Sequence, residues 1–183
     1  SKSALENLVK ESGFKNTYFY YPMPDYKLPT VIYSENYLPE NDNMQNLQCY
    51  YVPDKSTLIA DEKGLYRDVI DNGVFEFFAN SFLVECSDCG DLGKVTYAKL
   101  PDERKEQYRI LTRFTREHTV EKKPLSKVCE QNHMRQMLKS QSIFSKNGMN
   151  IVEYTAENGI LTCDYVHKPL LEDVILKASE ERN

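Results

Sequence analysis

Three acidic side chains in this chain stand where a metal-dependent hydrolase would want them, just past or beside apolar segments. Asp54 follows Gln48-Cys49-Tyr50-Tyr51-Val52-Pro53, Glu85 follows Ser81-Phe82-Leu83-Val84, and Glu157 lies shortly after Met149–Tyr154. Mg²⁺ and Mn²⁺ take oxygen ligands, and a pair of such ions can activate water and stabilise a leaving phosphate oxygen. Asp54, Glu85 and Glu157 are therefore candidate metal ligands and catalytic residues. Against this stands abundance: with 28 Asp and Glu in the chain, acids landing in loops by coincidence is the simpler explanation.

A second set is built from sulfur and imidazole. Cys86-Ser87-Asp88-Cys89-Gly90 is a CxxC followed by glycine, and Cys129-Glu130-Gln131-Asn132-His133 adds a CxxxH. Together Cys86, Cys89, Cys129 and His133 supply the N/S ligands that a closed structural zinc needs, so a zinc-stabilised interaction module is the alternative to a nuclease. The competing reading is ordinary cysteines and a surface histidine. A third feature is a basic run, Arg104, Lys105, Arg109, Arg113, Arg116, Lys122 and Lys123, interleaved with Tyr108, Phe114 and His118. Cations mixed with stacking rings suit single-stranded RNA. Intervening acids (Asp102, Glu103, Glu106, Glu117, Glu121) cancel much of the charge, which favours a solvated helix face.

These residues need a scaffold, and composition bounds it. The 183 residues suit one domain; 40% are hydrophobic and 28% charged, enough for a core and too apolar for a disordered chain. No apolar run reaches membrane-spanning length, and the N-terminus lacks a secretory signal pattern. The five scattered cysteines argue for a reducing, intracellular compartment, cytoplasm or nucleus. A net charge of −5 makes the domain as a whole a poor non-specific nucleic-acid binder.

Periodicity predicts a helix over 1–12 stopped by Gly13, strands at Lys15–Tyr21 and Thr30–Tyr33, and a polar loop ending near Asn46. That loop divides an N-terminal extension, 1–46, from a main domain, 47–183. The main domain reads as a strand before Asp54, helices over Ser56–Tyr66 and Arg67–Asn72, and a buried strand at Val74–Ala79. A helix capped by Asn80 or Ser81 carries Glu85, and Lys94–Leu100 is helix or strand. Further strands fall at Tyr108–Phe114, Met149–Tyr154 and Ile160–Val166, with helices at Pro124–Ile143 (ended by Gly148) and Pro169–Glu181. Strands alternating with helices predict an α/β fold, a mostly parallel central sheet flanked by helices, whose strand ends would gather the acids.

The order of these segments resembles the N-terminal PIN-domain region of the exosome-associated RNase II-type exoribonuclease family. Ile32-Tyr33-Ser34-Glu35-Asn36-Tyr37-Leu38-Pro39-Glu40-Asn41-Asp42 resembles the extended stretch that leads into that domain, and Tyr51-Val52-Pro53-Asp54 its first strand, ending in a catalytic Asp. Phe82-Leu83-Val84-Glu85 resembles the helix bearing the second acid, Asn150–Glu157 the last active-site strand, and Leu161-Thr162-Cys163-Asp164-Tyr165-Val166 the closing segment. The resemblance implies a metal-dependent endoribonuclease site using Mg²⁺ or Mn²⁺, docking on an RNA-degrading assembly, and contact with single-stranded RNA. Its third acid position reads as Asn132 or His133, so His133 would orient water or replace a ligand. Lys55 beside Asp54 would compete with a metal. The expectation is a PIN-like domain of an RNA-decay protein with weak or lost chemistry, partnered by proteins of that assembly and not by a small-molecule ligand or a membrane.

Overall fold

In the computed structural model the described residues are 1–40, 62–101, 104–149 and 151–166, together with Ala178. They form a single eight-stranded sheet in which every neighbouring pair is antiparallel. This overturns the expected mostly parallel, PIN-like α/β sheet. Parallel neighbours need crossover connections of a dozen or more residues, whereas antiparallel ones can be joined by tight turns. The second half of this chain uses such turns.

Helix α1 (Lys2–Glu11) precedes β1 (Asn16–Met23) and β2 (Val31–Ser34). Helix α2 (Glu62–Asp71) and the one-turn α3 (Phe75–Phe78) lead to β3 (Leu83–Ser87) and β4 (Val95–Lys99). A 3₁₀ turn, Glu106–Tyr108, enters β5 (Ile110–Thr115) and β6 (Thr119–Pro124). Next come α4 (Lys127–Cys129), a π-helical turn (Glu130–Met134), α5 (Arg135–Lys146), β7 (Thr155–Glu157) and β8 (Ile160–Asp164). The order across the sheet is β3-β1-β2-β4-β5-β6-β8-β7, so β3 and β7 are its two edges.

β1 is rich in aromatic and β-branched residues, which suit a pleated, packed surface. It continues two residues past the expected stop at Tyr21 because Pro22 lies beyond the stretch paired with β3. Its alternate residues Phe19, Tyr21 and Met23 join Val31, Tyr33 and Tyr97 on one face, where α2 and α3 contribute Val69 and Phe75. The Tyr21 and Phe75 ring centres are 5.8 Å apart and those of Tyr33 and Tyr97 5.5 Å, both edge-on. The core continues through Tyr37 and Phe114 to Tyr165, just past β8, whose hydroxyl is 3.4 Å from that of Tyr37. β1 and β2 are thus strands of the same sheet as the rest of the chain, and the expected division near residue 46 falls outside the described residues.

Several local expectations also change. Val74–Ala79 is not a strand: it contains α3, with Phe75 buried and Phe77 and Phe78 at the surface. Glu85 lies on an edge strand, not a helix. The expected cap residues instead pin the β1–β2 connection: Tyr26 N donates to Ser81 Oγ (3.2 Å) and Asn80 Nδ2 to the Pro24 carbonyl (3.1 Å). Met149–Tyr154 is not a strand over its described residues, while the expected loop after it contains β7. Asn158 and Gly159, with φ of 50° and 75°, make the two-residue turn joining β7 to β8. The expected helices at Ser56–Tyr66, up to residue 61, and at Pro169–Glu181, apart from Ala178, lie outside the described residues, as does the strand before Asp54. No helix among the described residues is long and apolar enough to cross a membrane.

Candidate functional site

The acids do not meet at one sheet edge. Glu85 lies on β3 and Glu157 on β7, opposite edges with six strands between them, and Asp54 lies outside the described residues. Glu85 is engaged locally, its Oε2 accepting from Gly93 N at 2.9 Å. Glu157 ends a short exposed strand just before the Asn158-Gly159 turn.

The four expected zinc ligands are likewise dispersed. Cys86 is half-buried on β3 and Cys89 exposed in the turn beyond it, whereas Cys129 is fully buried in α4, after β6. Burial pushes the Cys129 thiol pKa up, as for a packed structural cysteine. Among the described residues no three His, Cys, Asp or Glu side chains are grouped so as to hold a metal ion, so the closed Cys86, Cys89, Cys129 and His133 site does not form.

The basic run is not a solvated helix face. It runs from the 3₁₀ turn through the β5–β6 hairpin, whose alternation distributes it over both faces of the sheet. Arg113 pairs with Glu121 across the hairpin, and Arg116 binds Asp91 and Glu117. Phe114 belongs to the aromatic core. Lys122 faces the same side as Leu161 and Cys163, and burial lowers its pKa. Among the described residues, three cations of the run, Arg113, Arg116 and Lys122, are thus paired with acids or buried.

The structure instead forms a groove of about 610 Å³ along α5. One wall is a helical stripe: His133, Gln136, Met137, Ser140, Gln141 and Phe144 recur at helix spacing and share one face. Tyr108 lies at one end, its ring centre 5.2 Å from that of His133 and perpendicular to it. The opposite wall is Ile151, Val152 and Tyr154. That segment lacks regular structure, and Gln141 holds it as a neighbouring strand would. Tyr154 N donates to Gln141 Oε1 at 2.7 Å, and Gln141 Nε2 donates to the Tyr154 carbonyl at 3.2 Å. Burial, reinforced by Cys163, raises the Tyr154 pKa, so its phenol stays protonated at neutral pH.

The π-helical turn sets His133 on this face. It joins α4 to α5, and such insertions re-aim side chains and recur at functional sites. Of the residues singled out in the sequence, the groove uses Tyr108 and His133; the Gln141–Tyr154 clamp carried no sequence signal beyond the helix period. Among the described residues no Asp, Glu, Lys or Arg lines the groove, while Phe144 and Val152 remain substantially exposed. It is therefore suited to apolar side chains and a few backbone polar groups, and poorly suited to phosphates. Compared with protein-family models, curated proteins and solved structures, the chain matches none.

Proposed function

We propose that this domain is a protein-interaction module that takes a short apolar segment of a partner protein into the groove between α5 and residues 151–154. The uncharged, partly apolar lining is the observation that carries this reading. Methionine and aromatic side chains give adaptable contact area, and Gln136 and Ser140 offer hydrogen bonds to a peptide backbone. It retains the docking role implied by the family resemblance, with an RNA-decay assembly as the setting. Among the described residues the sheet is antiparallel throughout and Glu85 and Glu157 lie at its opposite edges, so the proposal does not include the hydrolysis that the resemblance implied.

The test is selection of binding peptides from a random library, followed by amide chemical-shift mapping. Peptides with a large apolar anchor should perturb resonances of residues 133–144 and 151–154. Phe144→Asp should weaken them by at least about tenfold, as expected for a central apolar contact, without changing the unfolding midpoint. Peptides that map elsewhere and are indifferent to Phe144→Asp would sink the proposal.

A further inference from the structure

Building on the groove as a docking site, we infer that the partner segment enters extended and adds to the free edge of β7 as a further antiparallel strand, taking over the backbone of Tyr154 from Gln141. β7 is an edge of the sheet, and Thr155, Ala156 and Glu157 are all exposed. Glu157 and Ile160 flank the two-residue turn, so they exchange backbone hydrogen bonds, and Thr155 directs its own toward β8 in the same way. By alternation the N–H and C=O of Ala156 point outward, and among the described residues nothing bonds them. Tyr154, two residues earlier, presents its pair on the same side. There Gln141 Oε1 accepts from Tyr154 N at 2.7 Å and Gln141 Nε2 donates to the Tyr154 carbonyl at 3.2 Å. A carboxamide carries the same donor and acceptor as a peptide unit, so a strand residue can take its place.

The two faces of this edge set the chemistry of the occupant. Tyr154 and Ala156 share the face of Leu161 and Cys163, where Cys163 meets the Tyr154 side chain. Partner residues opposite Tyr154 and Ala156 project to that same face, beside the uncharged groove that Tyr154 lines, and are therefore apolar. The partner residues between and beyond them project to the other face, with Thr155, Glu157 and Asp164. Glu157, Asp164 and, just before β7, Glu153 are exposed, and among the described residues none of the three makes an ion pair. Opposite charges across a strand pair attract, so these positions favour Lys or Arg. The occupant is thus an extended segment of a partner protein in which apolar and basic residues alternate. On its entry Tyr154 gives up its two bonds to Gln141, and the partner backbone replaces them and satisfies Ala156 as well. A helix laid in the groove leaves the Ala156 groups unused, whereas strand addition draws its affinity from main-chain bonds of this kind.

The probe is an end-blocked synthetic peptide alternating leucine or phenylalanine with lysine, and its control places the same residues at helical spacing. The full 183-residue chain should bind the alternating peptide more tightly than the control. Saturation should slow exchange of the Ala156 amide by at least about tenfold, with the peptide extended when bound. Gln141→Ala should bind it about fivefold tighter, because the amide no longer competes for the Tyr154 backbone. Glu157→Lys, which leaves the groove lining intact, should bind it about fivefold more weakly. Binding that Phe144→Asp weakens while Ala156 exchange stays unchanged would leave the groove standing and overturn the added strand. Tighter binding of the control peptide, no gain in Gln141→Ala, or no binding at all would overturn it too. Protection of Ala156 that is indifferent to Phe144→Asp would uphold the added strand and count against the groove.

Discussion

Replacing Gln141 with leucine tests whether the groove wall is held as described. The side chain makes both of its hydrogen bonds to one backbone unit, at 2.7 Å from Tyr154 N and 3.2 Å to its carbonyl. Each such bond contributes about 1 kcal/mol net. The site is partly buried, so water can replace some of what is lost, and the combined cost is about 2 kcal/mol. That cost should fall on local opening of residues 151–154, which no strand pairing supports, more than on global unfolding. Native-state amide exchange reads it directly: the Tyr154 amide should exchange about thirtyfold faster, since 1.4 kcal/mol corresponds to a factor of ten. Amides of β5 and β6 should change little. An unaltered Tyr154 exchange rate would refute the clamp, and an equal acceleration throughout the sheet would show that the segment is part of the global core.

Gly93→Ala should destabilise the fold by roughly 2–4 kcal/mol, the sum of a left-handed backbone penalty and overpacking. Gly93 has φ of 68°, and a Cβ there would lie 2.5 Å from Cε2 of the buried Tyr18 ring. Gly73→Ala, at φ 64° with open space, should cost only about 1 kcal/mol in the same urea titrations; equal costs would show that the Tyr18 contact is unimportant. The Glu76 carboxylate gives a pH test. Burial alone would raise its pKa, but hydrogen bonds from Lys2 and Tyr21 outweigh burial and the net shift is downward. A carboxyl with a lowered folded-state pKa adds stability above its ordinary value of 4.5 and loses it as pH falls through the folded value. Wild type should thus lose stability more steeply than Glu76→Gln on acidification below that point, and parallel curves would refute the coupling.

What the sequence made legible, and what it hid, separates along physical lines. Three helix ends were readable from glycine, although Gly64, which also reads as a stop, lies inside α2, where the expected separate helices Ser56–Tyr66 and Arg67–Asn72 are continuous across their boundary. Gly13, Gly73 and Gly148 follow α1, α2 and α5 with φ of 95°, 64° and 73°, the conformation that terminates a helix at little steric cost. Strands β1, β2, β5 and β8 were found within a few residues because aromatic and β-branched residues cluster in them. The apolar run at 74–79 was misread because periodicity cannot separate a short buried strand from a helical turn. Val84 and Glu85 were misread the same way, with Asn80 and Ser81 suggesting a cap when their side chains serve another loop.

Sheet direction was recoverable from two local signals. Asn158-Gly159 between short strand-like stretches favours a two-residue hairpin, and Phe114 to Val120 is too short for a helical crossover. Together these signals would have made the second half antiparallel and removed the shared strand edge on which Asp54, Glu85 and Glu157 were to meet. The groove was less accessible, because its defining contact joins a side chain in α5 to backbone at Tyr154. Neither residue type at that spacing encodes the clamp; only the fold brings the amide of Gln141 opposite an unpaired backbone unit. The sequence indicated a helix over Pro124–Ile143, and the packing of one face of α5 against residues 151–154 turned it into a place for an apolar segment.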